Sequence, residues 1–310
     1  MKIIVFGGSG FIGSHLIPKL VEEGHQVVLF SRYPERTREK FSLDQLQVAQ
    51  WDGFSDDGLK KHANGSDVVI NLAGEDISSK PWTQRQRFKI RQSRSQLGTT
   101  IAMALEKLEN RPSLYIQASA IGIYGPQPGL ACDETSSLGI GFLADVTKAW
   151  EKPAELLAQQ GMRTAIIRTG IVLGLNGGLL QRMMIPFRFF VGGYPGNGKQ
   201  SVSWIHIDDQ VRAILHIIHH PTSHGVYNLT APQPTTMKKL ARLLGKKMKR
   251  PAWFPIPAWS LKMVFGQMAR EVLLADQFVL PMRLTQEEFT FRHTDVKEAM
   301  DDLFASKNQV

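Results

Sequence analysis

Glycine residues near the amino terminus are spaced as in a turn that binds phosphate groups. Gly7, Gly10 and Gly13 give the pattern G-x-x-G-x-x-G directly after an apolar stretch and at the start of an amphipathic one. Glycine allows the backbone to approach a pyrophosphate closely, and the N–H groups at a helix start favour negative charge. Between a strand and a helix this pattern predicts a dinucleotide site. The residues expected to contact the ligand are Gly7, Ser9, Gly10, Phe11, Ile12 and Gly13.

The end of the second predicted strand should distinguish NAD(H) from NADP(H). A carboxylate there would bind the ribose 2′-hydroxyl and repel a 2′-phosphate, whereas this chain has Ser31 followed by Arg32. Arginine offers phosphate a charge-assisted pair of hydrogen bonds, and Arg36 or Arg38 can assist. The sequence therefore favours NADP(H), with Arg32 as a solvated strand-end charge being the alternative.

Two further strand ends are candidates for the adenosine side of the dinucleotide. Asp52, after the third predicted strand, can accept a hydrogen bond from the adenine amino group. The backbone of Leu72, Ala73 and Gly74, after the fourth, can line the same side. Either segment can equally be an ordinary turn.

The elements that carry these residues alternate between short β-branched stretches and longer amphipathic ones, which predicts repeated βαβ units. The expected strands are residues 2–7, 26–31, 46–51, 67–72, 114–119 and 164–168. The expected helices are residues 11–23, 56–62, 83–108 and 142–160. We predict an α/β fold with a Rossmann-type, doubly wound parallel sheet.

The composition changes after Gly170, where glycine, proline and aromatic residues become frequent. A strand at 201–207 and a helix at 209–219 are expected to return to the sheet, and residues from 232 onward are expected to be mostly helical. We predict an NADP-binding domain of residues 1–170 plus about 201–230. Residues from about 171–200 plus 231–310 are predicted to form a smaller, mainly helical substrate lobe.

Composition limits the classes of function. The chain has 310 residues and a single cysteine, Cys132, which excludes an internal disulfide and favours a reducing compartment, the cytoplasm. A net charge of +9 favours anionic partners, but the basic run at 246–250 lacks interleaved aromatic residues, so we expect no nucleic-acid partner. We expect no transmembrane segment, although residues 251–268 are aromatic and basic enough to lie against a membrane. Nothing in the sequence indicates the oligomeric state.

Several motifs together resemble the extended short-chain dehydrogenase/reductase superfamily of NAD(P)-dependent epimerases and dehydratases. They lie at residues 71–75, 119–125, 168–174 and 198–209. Segments around Arg250, Pro257, Pro281 and Phe289 resemble the uncharacterised C-terminal domain of an atypical epimerase-like subgroup. The resemblance implies a nicotinamide cofactor and a small-molecule substrate.

The chain departs from the catalytic pattern of that superfamily, which is a Ser or Thr, a Tyr, and a Lys four residues after the Tyr. These three positions fall on Ala120, Leu143 and Thr147. Ser119, one place from the first, is expected to line the site as a cofactor-binding residue and is, with Tyr124, a candidate catalytic residue. The candidate acid/base groups are Tyr124 and a histidine such as His206.

We therefore predict an NADP(H)-dependent oxidoreductase or epimerase acting on a small polar, anionic substrate, with a nucleotide sugar as one candidate. The alternative is a non-catalytic NADP(H)-binding sensor or scaffold that has lost the Ser-Tyr-Lys set. The residues predicted to bind substrate are Trp82, Arg94, Arg188 and Lys199, and a solvated surface is the alternative for each charge. Histidines 216, 219, 220 and 224 lack a neighbouring carboxylate or cysteine in sequence, so no metal site is predicted.

Overall fold

The main sheet has seven strands, in a computed structural model that describes residues 1–41, 43–53 and 57–306. The strand order is β12-β7-β5-β4-β1-β2-β3. Strands are β1 Lys2–Phe6, β2 Gln26–Ser31, β3 Leu46–Gln50, β4 Val68–Asn71, β5 Leu114–Ala120, β6 Ala131–Cys132, β7 Thr164–Thr169, β8 Ile171–Leu173, β9 Gly193–Pro195, β10 Ser201–Val202, β11 Trp204–His206, β12 Gly225–Leu229, β13 Thr235–Thr236, β14 Phe254–Ile256 and β15 Phe278–Val279.

Helices flank this sheet and continue through the C-terminal part. They are α1 Phe11–Glu22, α2 Pro34–Lys40, α3 Asp57–Ala63, α4 Gln84–Glu106, α5 Phe142–Gln159, α6 Gly178–Arg188, α7 Ile207–His219, α8 Met237–Met248, α9 Ala258–Phe265, α10 Met282–Gln286 and α11 Val296–Ser306. The predicted Rossmann-type parallel sheet and the helical C-terminal part are confirmed.

The central strands are apolar because both faces of the sheet are covered. Ile3, Ile4 and Val5 of β1 are fully buried, as are most side chains of β4 and β5. The register sets Phe6 of β1 beside Asn71 of β4, and Asn71 beside Gln117 of β5. Because these strands are parallel, the turns that follow them all leave the same edge of the sheet.

The predicted strands of the sheet agree with the structure to within one or two residues, but other elements differ. The seventh sheet strand is β12, not the predicted strand at 201–207. That segment instead divides into β10 and β11, which pair with β13 and β8 outside the main sheet. Helix α2 was not predicted; proline in its first turn favours the start of a helix. Residue 56, the predicted start of α3, lies outside the described residues.

The chain divides into two compact units. The first contains residues 1–119, 146–167 and 214–226, and the second contains 120–145, 168–213 and 227–310. The division predicted from the sequence, with residues 1–170 in one domain, stays a prediction. Among the described residues, no helix is both long enough and apolar enough to cross a bilayer.

Candidate functional site

The glycine turn between β1 and α1 has no room for side chains at two of its positions. Gly7 has a φ of +73°, and a Cβ there would lie 2.6 Å from the backbone nitrogen of Ala73. A Cβ on Gly13 would overlap the backbone of Gly8. The turn therefore packs against the 72–74 segment on one side and against α1 on the other, and only glycine allows both contacts.

The start of α1 is open to an anion. Gly10 precedes the helix, no side chain caps it, and its first turn contains no acidic residue. The Gly10 N–H donates a hydrogen bond to the Gly7 carbonyl at 3.0 Å, which closes the turn. Uncapped N–H groups at a helix start, behind a glycine turn, fit the phosphates of a dinucleotide. Phe11 and Ile12, both predicted contacts, occupy the first two helical positions.

A lysine that was not predicted from the sequence reaches this turn. Lys40, at the end of α2, donates from Nζ to the carbonyl oxygen of Ser9 at 2.8 Å. It adds a cation beside the predicted phosphate site. The basic run of α2 was visible in the sequence, but the contact joins residues 31 positions apart, and the local pattern did not indicate it.

The end of β2 borders a depression of about 530 Å³ lined by Arg32, Tyr33, Pro34, Glu35, Arg36 and Gln50. Ser31 Oγ accepts the Tyr33 N–H at 3.1 Å and contacts Thr37 Oγ1 at 2.8 Å, so its hydroxyl organises the turn. Arg32 and Arg36 place two cationic side chains beside this depression. Arg38 instead pairs with Glu35 and donates to the Val48 carbonyl.

The two candidate adenosine segments each follow a strand of the sheet, β3 and β4. Asp52 is exposed immediately after β3 and Trp51. The 72–74 segment is fixed by Asn71, which accepts the Ala73 N–H at 3.1 Å and donates to Gln117 at 3.1 Å. Asn71 is fully buried, so it positions the Leu72–Gly74 backbone against the glycine turn.

Ser119 lies near the end of β5, two residues beyond the register position shared with Asn71 and Phe6. Its hydroxyl donates to Glu151 Oε1 at 2.5 Å, and both side chains are buried. Glu151 is in α5, one turn after Thr147, so the side of α5 that carries Thr147 faces the end of β5. This agrees with the alignment that puts Thr147 at the lysine position. No role was predicted for Glu151 from the sequence.

Arg94 and Trp82 were predicted to bind substrate, and both have internal partners. Arg94 is buried, donates to the carbonyls of Glu75 and Ile90 at 2.9 and 3.2 Å, and lies 4.6 Å from the Trp150 ring. Burial lowers its pKa to about 10, and it stays charged at neutral pH. Trp82 is buried and donates to the Ile77 carbonyl at 2.7 Å.

The second unit holds Tyr124, whose phenol is buried between two polar groups. It donates to Asn228 Oδ1 at 2.8 Å and accepts from Arg168 Nη1 at 2.9 Å. Burial raises the pKa of Tyr124 although Arg168 opposes that effect. Burial therefore keeps the phenol protonated at neutral pH, which opposes its use as a base.

The other predicted residues of the second unit lie at different places. Arg188 ends α6 and Lys199 follows Asn197 in a turn, and both are exposed. His206 is buried and stacked on His293 at 3.8 Å, and its Nδ1 accepts the Asp208 N–H at 3.1 Å. His206 therefore caps the start of α7 through its ring nitrogen.

Two groups of histidine and carboxylate side chains occur among the described residues. In one, Glu23 Oε2 lies 3.0 Å from His219 Nε2 and 3.3 Å from His25 Nε2. The expectation that no carboxylate accompanies His219 is wrong, because the fold brings the α1–β2 turn to the end of α7. Both distances lie within the range of histidine–carboxylate ion pairs.

The second group contains His206, His293 and Asp302. Because His206 accepts a hydrogen bond at Nδ1, its neutral ring carries the proton on Nε2, which then cannot ligate a metal. The sequence prediction of no metal site stays a prediction.

Comparison with known proteins gives a consistent result. The model of the NAD dependent epimerase/dehydratase family matches residues 3–230, and a domain of unknown function, DUF1731, matches residues 256–303. The chain is 34% identical to the epimerase family protein SDR39U1 homolog, chloroplastic, of Arabidopsis thaliana, covering 97% of this chain and 86% of the relative. It is 32% identical to the epimerase family protein YfhF of Bacillus subtilis, covering all of both chains.

Solved structures are similar over the same length. The human epimerase family protein SDR39U1 (isoform 2), solved with NADPH, is 30% identical with a TM-score of 0.86, covering 98% of this chain and 99% of that one. A dTDP-glucose 4,6-dehydratase, DesIV of Streptomyces venezuelae, solved with NAD and TYD, has a TM-score of 0.81 at 14% identity, covering 100% and 97%. The latter likeness concerns the fold alone. With a family match over most of its length, the chain belongs to the NAD dependent epimerase/dehydratase family.

Proposed function

We propose that this protein is an NADP(H)-dependent oxidoreductase or epimerase whose proton-transfer group is the Ser119–Glu151 pair. The observation that carries the proposal is the buried 2.5 Å hydrogen bond between these side chains. It lies at the same sheet edge as the glycine turn, with one strand between β5 and β1. Adjacent strands are about 4.8 Å apart, so the pair lies about 10 Å across the sheet from that turn.

The cofactor is held by residues of the first unit. Gly7, Gly10 and Gly13 form the phosphate cradle, with Ser9, Phe11 and Ile12 alongside. Arg32 and Arg36 bind the 2′-phosphate beside Ser31, and this choice rests on the two cationic donors in the depression at the end of β2. Asp52 and the Leu72–Gly74 backbone line the adenosine. When bound, the nicotinamide accepts or supplies a hydride.

The chain's own residues move the proton. In the direction of alcohol oxidation, the substrate hydroxyl proton passes to Ser119 Oγ while the Ser119 proton passes to the Glu151 carboxylate. In the reverse direction Ser119 donates to the substrate oxygen and Glu151 returns the proton. A serine and a buried carboxylate thus replace the tyrosine and lysine of the wider superfamily, and Tyr124 is assigned a structural role.

The substrate is proposed to be small, polar and anionic, with a nucleotide sugar as one candidate. Arg188 and Lys199 are exposed cations available to it, whereas Arg94 acts by holding the turn at Glu75. The human relative solved with NADPH supports the choice of cofactor. The single cysteine, Cys132, is buried, which accords with a cytoplasmic location.

The alternative function is a non-catalytic NADP(H) sensor or scaffold, favoured by Ala120, Leu143 and Thr147 at the usual catalytic positions. A sensor needs the cradle and the arginines but not Glu151. A variant at Glu151 that keeps the hydrogen bond but cannot take a proton separates the two functions.

The test uses NADPH carrying deuterium at C4, on either face, incubated with the protein and a metabolite extract. We expect label in a defined product by mass spectrometry. Glu151→Gln should bind NADPH unchanged and reduce labelling by at least about 100-fold, the range of general acid–base catalysis. Tight NADPH binding with no labelled product would exclude a simple reductase. Labelling that is unaffected by Glu151→Gln would overturn the role of the pair.

A further inference from the structure

The basic residues of this chain are unevenly distributed. Residues 178–200 and 237–270 contain 12 of the 37 lysines and arginines and none of the 28 acidic residues. The rest of the chain therefore has 25 basic and 28 acidic residues. The whole positive excess of the protein lies in two segments, both in the second unit.

The same two segments hold a concentration of exposed apolar side chains. Nine of the 19 large hydrophobic side chains that are exposed among the described residues lie within 185–191 and 253–264. They include Phe189, Trp253 and Trp259, which are 73%, 76% and 67% exposed. Single exposed hydrophobic residues are common, but a cluster of this kind marks an interaction surface.

Backbone pairing joins the two segments into one surface. Strand β9 pairs with β14 so that Gly193 lies beside Phe254, and a Cβ on Gly193 would overlap the Phe254 carbonyl. The Arg250 guanidinium lies 4.1 Å from the centre of the Phe190 ring. Helix α9 begins two residues after β14 and presents Trp259 and Met263 one turn apart. Residues 185–191 and 250–264 are called the basic aromatic face below.

A basic depression adjoins this face. It has a volume of about 440 Å³ and is lined by Arg242, Lys246, Arg250, Pro251, Ala252 and Trp253. Three cations and no acidic residue line it, and a large aromatic side chain lies at its edge. The three cations can bind a phosphate group, and the aromatic side chain can contact hydrocarbon next to it.

We propose that the basic aromatic face binds the surface of an anionic phospholipid bilayer, with lipid phosphate in the Arg242–Lys246–Arg250 depression. Tryptophan and phenylalanine side chains favour the boundary between headgroups and acyl chains, and nearby lysine and arginine bind anionic headgroups.

Two other occupants fit less well. A two-fold contact with a second copy would place two acid-free basic surfaces against each other, which is electrostatically unfavourable. A single-stranded nucleic acid would use the aromatic rings for stacking. It would leave the exposed aliphatic residues Ile185, Val191, Met263 and Val264 in contact with nothing apolar.

The test is sedimentation of the full-length protein with vesicles of phosphatidylcholine alone or mixed with phosphatidylglycerol. We expect binding to the mixed vesicles only, weakened by added salt. Trp253→Ala/Trp259→Ala and Arg242→Glu/Lys246→Glu should each reduce partitioning by about tenfold or more. NADPH binding should be unchanged, because these residues lie outside the cofactor cradle.

Matched controls come from the first unit, where Phe88, Lys61 and Lys89 are exposed. Phe88→Ala and Lys61→Glu/Lys89→Glu should leave partitioning unchanged. Absence of binding to anionic vesicles, or equal losses in the control variants, would overturn the proposal. So would a concentration-dependent dimer in light scattering that Trp253→Ala/Trp259→Ala abolishes, or RNA binding that the same variant abolishes.

Discussion

Replacing Arg32 with alanine should change the selectivity between NADPH and NADH. Arg32 lies at the end of β2 beside a depression of about 530 Å³ that it shares with Arg36. A hydrogen bond to a charged group contributes about 1.5–3 kcal/mol when shielded from solvent. Because Arg32 is exposed, screening reduces this to about 1–2 kcal/mol, which corresponds to about 5- to 30-fold in affinity.

Arg32→Ala is therefore expected to weaken NADPH binding by about 5- to 30-fold and to leave NADH binding within about twofold. The matched control is Arg38→Ala, since Arg38 is already bound to Glu35 and the Val48 carbonyl. It should change neither affinity by more than about twofold. Arg32→Ala/Arg36→Ala should remove most of the preference for NADPH.

The measurement is isothermal titration calorimetry with both dinucleotides at low and high salt. The NADPH preference of the unaltered protein should fall with salt, because the two arginines are exposed. Equal losses of NADPH and NADH in Arg32→Ala would refute the reasoning, as would a loss in Arg38→Ala as large as that in Arg32→Ala.

Three other predictions concern packing and protonation. Gly13→Ala forces the start of α1 away from the glycine turn, because the added Cβ would overlap the backbone of Gly8. The substitution should destabilise the protein by about 1–3 kcal/mol and abolish binding of both dinucleotides. Unchanged binding in calorimetry would contradict this. Tyr124→Phe leaves the buried side chains of Asn228 and Arg168 without the phenol hydroxyl. Thermal melting should therefore show a free energy of unfolding lower by about 1–3 kcal/mol, whereas deuterium transfer should persist. Loss of transfer at unchanged stability would restore Tyr124 as an acid/base candidate. Burial and the neighbouring His293 lower the pKa of His206 from 6.5 to about 4, so the unfolded state binds more protons between these values and stability should fall as pH drops from about 6.5 toward 4. Melting temperatures across that range should decline less in His206→Asn; equal slopes would contradict the assignment.

Local sequence signals were sufficient for the strands near the cofactor cradle. The β-branched stretches at β1, β2 and β4 and the glycine pattern after β1 are properties of consecutive residues, and their structure follows from backbone sterics and burial on both sheet faces. β12 was missed because Gly225–Leu229 contains a single β-branched residue, Val226, and so gives only a weak strand signal. The strand predicted at 201–207 was wrongly placed in the main sheet, because a local sequence pattern does not show which other strand a segment will pair with.

The residues of the candidate site likewise divide into those that a local sequence pattern identifies and those that only the fold brings together. The sequence by itself determined the glycine turn, the Ser31–Arg32 strand end and the absence of the usual tyrosine and lysine, since each depends on residue types at fixed spacing. Only the tertiary structure showed that Ser119 donates to Glu151, that Lys40 reaches Ser9 and that the phenol of Tyr124 is enclosed by Arg168 and Asn228. These contacts join residues between 31 and 104 positions apart. Such pairs are set by how helices and strands pack, and no local periodicity encodes which distant side chain will fill a given place.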